Sequence, residues 1–269
     1  MSDLCQSARP GGPAPWRWVT WHGLVLLLGL TVLLGQAATA SAASLQVSPI
    51  LLEFAPKEQA QSMWLSNTGT QPLRAQVRVQ QWTQTSEGDQ LSPTRALLAS
   101  PPVVEIPPGE KQMIRIIRPQ GGVPAREESY RLIVDELPSS GVAGPGGTAP
   151  AGLQFLLRYS VPVFVSVVEP VPVTGKPSDI SALSTSLQSG PPAPLLTVIN
   201  KGTQRVKISQ LVHVDKQGRR TSLVPGLLGY VLAGQRMQWP LNLPADGTFK
   251  AKFNADLEEQ VLPLAPARL

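Results

Sequence analysis

The sequence predicts an all-β protein of two sandwich domains, and three observations carry that prediction. Proline (28 residues) and glycine (23) are too abundant for long helices, because proline removes a backbone donor and glycine loses the most entropy on ordering. Apolar and polar residues alternate with period two in segment after segment, as in strands with one face on a core. Clusters of Asn, Gly, Pro and Ser punctuate those segments at spacings that suit short strands. With 269 residues, 42% hydrophobic and 15% charged, the chain can fill two cores and is too apolar for a disordered polyelectrolyte.

Residues 1–43 read as an export signal. Arg9 and Arg17 lie in a polar stretch, and Leu24 to Leu34 is an uncharged apolar run, shorter than the roughly 20 residues that span a bilayer. The small residues Ala37 to Ala43 then supply a cleavage site, which predicts no stable membrane insertion after processing. Cleavage removes Arg9, Arg17, Asp3, Cys5 and His22, taking the net charge from +5 to +4 and leaving no cysteine and a single histidine, His213. Such a chain must hold itself together by apolar burial without disulfides.

The first domain, 44–169, opens with Leu45 to Pro49. Gln61 to Asn67 alternates up to the turn Asn67-Thr68-Gly69-Thr70. Leu73 to Thr83 sets Ala75, Val77 and Val79 against Gln76, Arg78, Gln80 and Trp82. A turn at Ser86 to Asp89, a short strand Val103 to Ile106 and the turn Pro107-Pro108-Gly109 follow. In Lys111 to Arg118, Ile114, Ile116 and Arg118 oppose Met113, Arg115 and Ile117. Tyr130 to Leu137 and Leu153 to Val168 complete a set whose number and spacing indicate an immunoglobulin-like sandwich. Prolines 170, 172 and 177 stiffen a boundary, and a second domain, 170–269, is read from Leu195 to Ile199, Val206 to Val214, Leu227 to Leu232, Met237 to Leu241 and Thr248 to Phe253. Asn200-Lys201-Gly202-Thr203 repeats the turn at Asn67. Trp64 and Trp82 are expected to pack in or beside the first sandwich and Trp239 in the second.

Enzyme chemistry is tested by inventory. The processed chain has no thiol nucleophile, and one imidazole cannot make a histidine metal set. Alternation puts His213 and Asp215 on one strand face, expected to look into solvent, and no strand-turn-helix context supplies a nucleophile for them. Gly144, Gly146 and Gly147 lack the frame of a phosphate loop. Lys and Arg are scattered rather than gathered into a footprint for nucleic acid. The expectation is a protein that is not an enzyme, needs no cofactor or metal, binds no nucleic acid and works by its surfaces.

Several segments in order carry a family resemblance: Leu45-Gln46-Val47-Ser48-Pro49, Leu65-Ser66-Asn67-Thr68-Gly69, Gln76-Val77-Arg78-Val79 with Trp82, Ser100-Pro101-Pro102, and Ile106-Pro107-Pro108-Gly109 before Gln112 to Ile116. Arg126-Glu127-Glu128-Ser129-Tyr130-Arg131-Leu132 with Glu136-Leu137-Pro138, and Gly229-Tyr230-Val231-Leu232 followed by Trp239, extend it. The chain resembles the PapD-like periplasmic chaperones of pilus and fimbria assembly. That resemblance implies two immunoglobulin-like β-sandwich domains in a boomerang arrangement, located in the periplasm. It implies binding to pilin or fimbrial subunits by donor-strand complementation and delivery to an outer-membrane usher. A structural pilus subunit or an adhesive extracytoplasmic sandwich is the alternative.

The residues themselves point to a donor strand. Leu153, Phe155, Leu157, Tyr159 and Val161 make an apolar face, while Gln154, Arg158 and Ser160 opposite are polar and Leu156 is the exception. The resemblance puts Leu153, Phe155 and Leu157 at the free end beside the Gly- and Pro-rich loop 138–152, with Tyr159 leading into the domain's own core. At the positions where the best-studied branch holds the subunit's terminal carboxylate with a basic pair, this chain has Leu51 (or Ile50) and Pro162. The resemblance is therefore to a divergent or archaic branch. Arg115 and Arg158 are the candidate carboxylate anchors, since a guanidinium offers a bidentate fork. Glu128 is a candidate interdomain brace.

Overall fold

The computed structural model describes residues 44–138, 155–169, 177–188, 193–241 and 247–264. The expected signal at 1–43, Leu153 and the proline-rich boundary 170–176 lie outside them.

In chain order the first ten strands are β1 (Leu45–Ser48), β2 (Leu52–Phe54), β3 (Ala60–Asn67), β4 (Leu73–Thr85), β5 (Gly88–Pro93), β6 (Leu98–Ser100), β7 (Val103–Ile106), β8 (Lys111–Ile117), β9 (Glu128–Leu137) and β10 (Arg158–Val165). They form one sheet in the order β1-β3-β8-β6 and another in the order β2-β10-β9-β4-β5, with β7 also on β4. Period two sends Leu45, Met63, Leu65, Ile114 and Ile116 from the first sheet, and Leu52, Phe54, Ala75, Val77, Leu132, Val134, Val161 and Val163 from the second, into one buried core. Each of these side chains larger than alanine contributes about 1.5–3 kcal/mol on burial.

The second half holds β11 (Leu183–Gln188), β12 (Leu195–Asn200), β13 (Val206–Val214), β14 (Arg220–Val231), β15 (Arg236–Pro240), β16 (Thr248–Phe253) and β17 (Gln260–Val261). Its sheets run β11-β12-β15 and β14-β13-β16-β17 around a core that includes Leu196, Val198, Ile208, Leu211, Val231, Phe249 and Phe253. The all-β sandwich class expected from the alternation is the observed one.

The two asparagine turns are the same device used twice. Asn67 donates its Nδ2 to the carbonyls of Gln71 (2.8 Å) and Ile106 (2.9 Å), and its Oδ1 accepts from the Gly69 N–H (2.9 Å). Asn200 donates to Gln204 (2.7 Å) and Val231 (3.0 Å) and accepts from Gly202 (2.8 Å). Both are almost fully buried, so each amide ties a turn to a distant strand end where water cannot substitute. Asn67→Ala and Asn200→Ala are each expected to lower unfolding free energy by about 1–3 kcal/mol, the cost of stranding buried carbonyls. Chemical denaturation checks this, and a loss below about 0.5 kcal/mol would contradict it.

Two side chains sit elsewhere than expected. His213 is 5% exposed rather than solvent-facing: its ring packs 5.2 Å from Phe249, and Gly247 leaves room for it, since a Cβ there would collide with the imidazole. A register shift between Ser209 and Val212, with Gln210 at φ 52°, resets which face of β13 points inward. Trp64 is 45% exposed, because Met63 and Leu65 occupy the inward positions of β3 and leave it outward opposite Met113.

Candidate functional site

β10 is paired on one side along its whole length and on the other along only part of it. Against β9 it is antiparallel, from Arg158↔Asp135 to Val165↔Glu128. On the opposite side β2 runs parallel to Val163, Phe164 and Val165 only. Among the described residues no strand covers Arg158 to Pro162 on that side, so five residues of edge are open beside the lead-in Phe155 to Leu157. An open edge presents unpaired backbone donors and acceptors, and another chain can add there.

The expected donor residues divide by position. Leu153 lies outside the described residues. Phe155 is 71% exposed and Leu156 is also exposed. Leu157 packs partly against the first core, its N–H donating to Glu136 Oε2 (3.2 Å) and its carbonyl accepting from the Glu136 N–H (2.9 Å). Tyr159 is partly buried on the same core and donates its hydroxyl to the Leu45 carbonyl at 2.6 Å. The apolar face thus passes from fully offered at Phe155 to fully buried at Val161.

The opposite face of β10 carries Arg158, Ser160, Pro162 and Phe164. Arg158 and Arg78 both donate to Asp135, at the wall of a cleft of about 470 Å³ that Leu137, Leu156 and Leu157 also line. Burial opposes ionisation of Asp135, but the two guanidiniums prevail and hold its pKa below the usual carboxylate value. Four residues along, Arg131 of β9 stands opposite Pro162. Its side chain is 18% exposed, its guanidinium lies 3.7 Å over the Trp82 ring, and the closest carboxylate it pairs with is Asp89 at 3.8 Å. Burial lowers its pKa, with Asp89 and Tyr230 pulling the other way, and its guanidinium donates to the Ser160 carbonyl at 3.5 Å. Arg115 lies on β8 in the other sheet, exposed and opposite Ser62 and Ser100. The two expected anchors, Arg115 and Arg158, are therefore not brought together. Leu51 packs against the Trp82, Phe164 and Leu232 cluster.

Beyond Pro162 the same face meets the second sandwich. Trp82, Phe164 and Tyr230 form a mutual triad with ring centroids 5.7–5.8 Å apart, closed by Leu232. Trp82 is on the polar face of β4, and it is buried because the other sandwich covers that face. Gln84, two residues on, donates Nε2 to the Tyr230 carbonyl (2.8 Å) and accepts from the Leu232 N–H (2.9 Å), and its own N–H donates to Gln235 Oε1. The ion pair across the joint uses Glu127, not Glu128. Glu127 accepts from the Arg205 side chain at 2.6 Å, whereas Glu128 accepts from the Tyr130 hydroxyl at 3.0 Å within its own strand.

Sequence reasoning did not find Arg131, Gln84 or Glu127. The usable signal for Arg131 was the loss of a basic residue at Pro162, but only the strand register shows which neighbour faces that position.

Residues 44–166 match the family described as pili and flagellar-assembly chaperone, PapD N-terminal domain. Over the whole structure the chain is similar to the CsuC–CsuE chaperone–tip adhesion subunit pre-assembly complex from the archaic chaperone-usher Csu pili of Acinetobacter baumannii. The TM-score is 0.62 at 25% identity, covering 82% of this chain and 98% of that one. The SafB chaperone in complex with the SafA pilin of Salmonella enterica gives 0.55 at 17%, covering 83% and 99%. The E. coli chaperone DraB gives 0.52 at 19%, covering 82% and 97%. No curated protein matches the chain.

Proposed function

We propose that the chain, whose residues 44–166 match the pilus-assembly chaperone N-terminal family, is a PapD-like chaperone that captures pilin or fimbrial subunits by adding β10 to them. The carrying observation is the open edge of Arg158 to Pro162, led by exposed Phe155. A subunit that lacks a strand gains main-chain hydrogen bonds from this edge and fills its empty pockets with Leu153, Phe155 and Leu157, while Tyr159 continues the donor strand into the domain's own core. The captured subunit then passes to an outer-membrane usher, and the whole cycle runs in the periplasm.

The other long edge supports this choice by contrast. β14 is the outer strand of its sheet, but Pro225, Gly226 and three register shifts interrupt its ladder. Such irregularity discourages strand addition.

The subunit's terminal carboxylate needs a cation. Arg115, Arg131 and Arg158 are the ones to compare, and the main role falls to Arg131, whose side chain is mostly buried opposite Pro162 and whose one acidic partner, Asp89, stands 3.8 Å away. Arg131→Gln is expected to weaken capture about tenfold or more, as loss of a charge-assisted pair in a shielded site does. Binding assays on Arg115→Gln, Arg131→Gln and Arg158→Gln check this. A larger loss at Arg115 would move the carboxylate to the other sheet. The function as a whole is tested by co-expression with the small secreted proteins of a pilus operon and mass spectrometry of what co-elutes. Recovery of the chaperone alone, with every such subunit degraded, would contradict it.

A further inference from the structure

Two consecutive acids of β9 hold two consecutive residues at the entry of β10. Asp135 stands opposite Arg158 and accepts from its guanidinium and from that of Arg78, which comes from β4 on the other side of β9. Glu136, the next residue, takes both main-chain groups of Leu157. Its N–H donates to the Leu157 carbonyl at 2.9 Å, and its Oε2 accepts from the Leu157 N–H at 3.2 Å. In a regular antiparallel pair the second bond would go to the Glu136 carbonyl. Here a side chain makes it, one residue outside the last strand pair, Arg158↔Asp135.

That bond decides which backbone groups are left for a guest. Residues of an antiparallel strand turn their N–H and C=O alternately towards the partner strand and away from it. With Leu157 turned to β9, those of Leu156, Arg158 and Ser160 turn to the open edge. Ser166 is in the same phase, and its N–H donates on that side to the Phe54 carbonyl next to β10, at 2.9 Å. Pro162 has no N–H and closes the open series. Among the described residues no hydrogen bond reaches Phe155 or Leu156, and both side chains are exposed. Leu157 is therefore the last fixed residue before the offered Phe155.

We infer that Glu136 is a positioning residue for subunit capture, whose carboxylate sets the entry of the donor strand in extended form and in one register before a subunit arrives. This role rests on β10 being the strand that adds to the subunit. An entry without the clamp samples many backbone conformations, and the subunit then bears the cost of ordering it on binding. The clamp removes that cost in advance and aligns the open-edge groups of Leu156 with those of Arg158 and Ser160. Glu136 acts through Leu157 and has no need to touch the subunit. Asp135 adds to the same effect by fixing the side chain of the next residue, Arg158.

Amide exchange and capture, both read on the full protein, test this. In free Glu136→Ala the Leu157 amide is expected to lose about tenfold or more of its protection, as for a lost hydrogen bond, while core amides such as Leu132 and Val163 keep theirs. Capture of the subunit that co-elutes with the wild-type protein should weaken about three- to tenfold, the cost of ordering a short segment. Glu136→Gln keeps an oxygen acceptor and should restore both. Phe155→Ser is run beside them, and its loss of capture marks the entry as the donor. If Phe155→Ser loses the subunit while Glu136→Ala binds it at wild-type affinity, the clamp is overturned and the donor role stands. Unchanged Leu157 protection in Glu136→Ala, an equal fall at Leu132 and Val163, or no rescue by Glu136→Gln would also overturn the clamp. Wild-type capture by Phe155→Ser would instead overturn the donor role beneath it.

Discussion

Replacing Leu153, Phe155 and Leu157 together with serine is expected to abolish subunit capture while the purified protein remains folded. Each side chain that enters a subunit pocket contributes about 1.5–3 kcal/mol, so the triple change lowers affinity by at least about a thousandfold. The variants separate binding from stability. Phe155 is exposed and lacks a place in the core, so Phe155→Ser alone should weaken capture about tenfold or more at unchanged stability. Leu157 packs partly against the first core, so Leu157→Ser should lose affinity and also some stability. Pull-down of co-expressed subunit and denaturant titration of each variant read the two effects. Wild-type recovery of subunit by the triple variant would contradict the donor role.

The second large effect is expected at the joint. Trp82→Ala removes two aromatic contacts and the surface on which Arg131 rests, and should cost about 3–5 kcal/mol. Because Trp82, Phe164, Tyr230 and Leu232 are supplied by both sandwiches, the loss should uncouple them, and calorimetry should resolve two transitions in place of one. Among the described residues the buried indole Nε1–H has no hydrogen-bond partner. Trp82→Phe therefore keeps the packing and strands no partner, and should cost less than about 1.5 kcal/mol. A Trp82→Ala protein within about 1 kcal/mol of wild type, unfolding in one step, would show that the joint is held elsewhere.

Sequence patterning reached most strands because each buries one face and exposes the other. Lys111 to Arg118 alternates clearly and is observed as β8, and Val206 to Val214 is observed as β13 although a bulge breaks its period. β2 and β6, three residues each, are too short to show a period, and the Arg220 half of β14 is masked by its bulge and proline. The turn expected at Ser86 to Asp89 is the hairpin between β4 and β5, although Gly88 to Pro93 has no buried face to reveal a strand. What alternation cannot tell is which outward face a second domain will cover. Trp82 and Gln84 sit on the face of β4 that reads as solvent-exposed, and are buried at the joint. Glu127 stands just before β9, outside any period, so nothing in the sequence separates it from the adjacent acid Glu128. The apolar lead-in of β10 was legible, because Phe155 and Leu157 break no rule of a strand. Its open edge was not, since that depends on β2 stopping at three residues.

The most direct measurement is amide exchange along Phe155 to Val161 in the free chaperone and in its complex with a subunit. Amides there that do not bond to β9 or Glu136 should exchange freely in the unbound protein and become strongly protected in the complex, with the β2-covered residues Val163 to Val165 unchanged. If those amides exchange equally in both states while a subunit is demonstrably bound, the subunit is held by some other surface and strand addition at β10 is wrong.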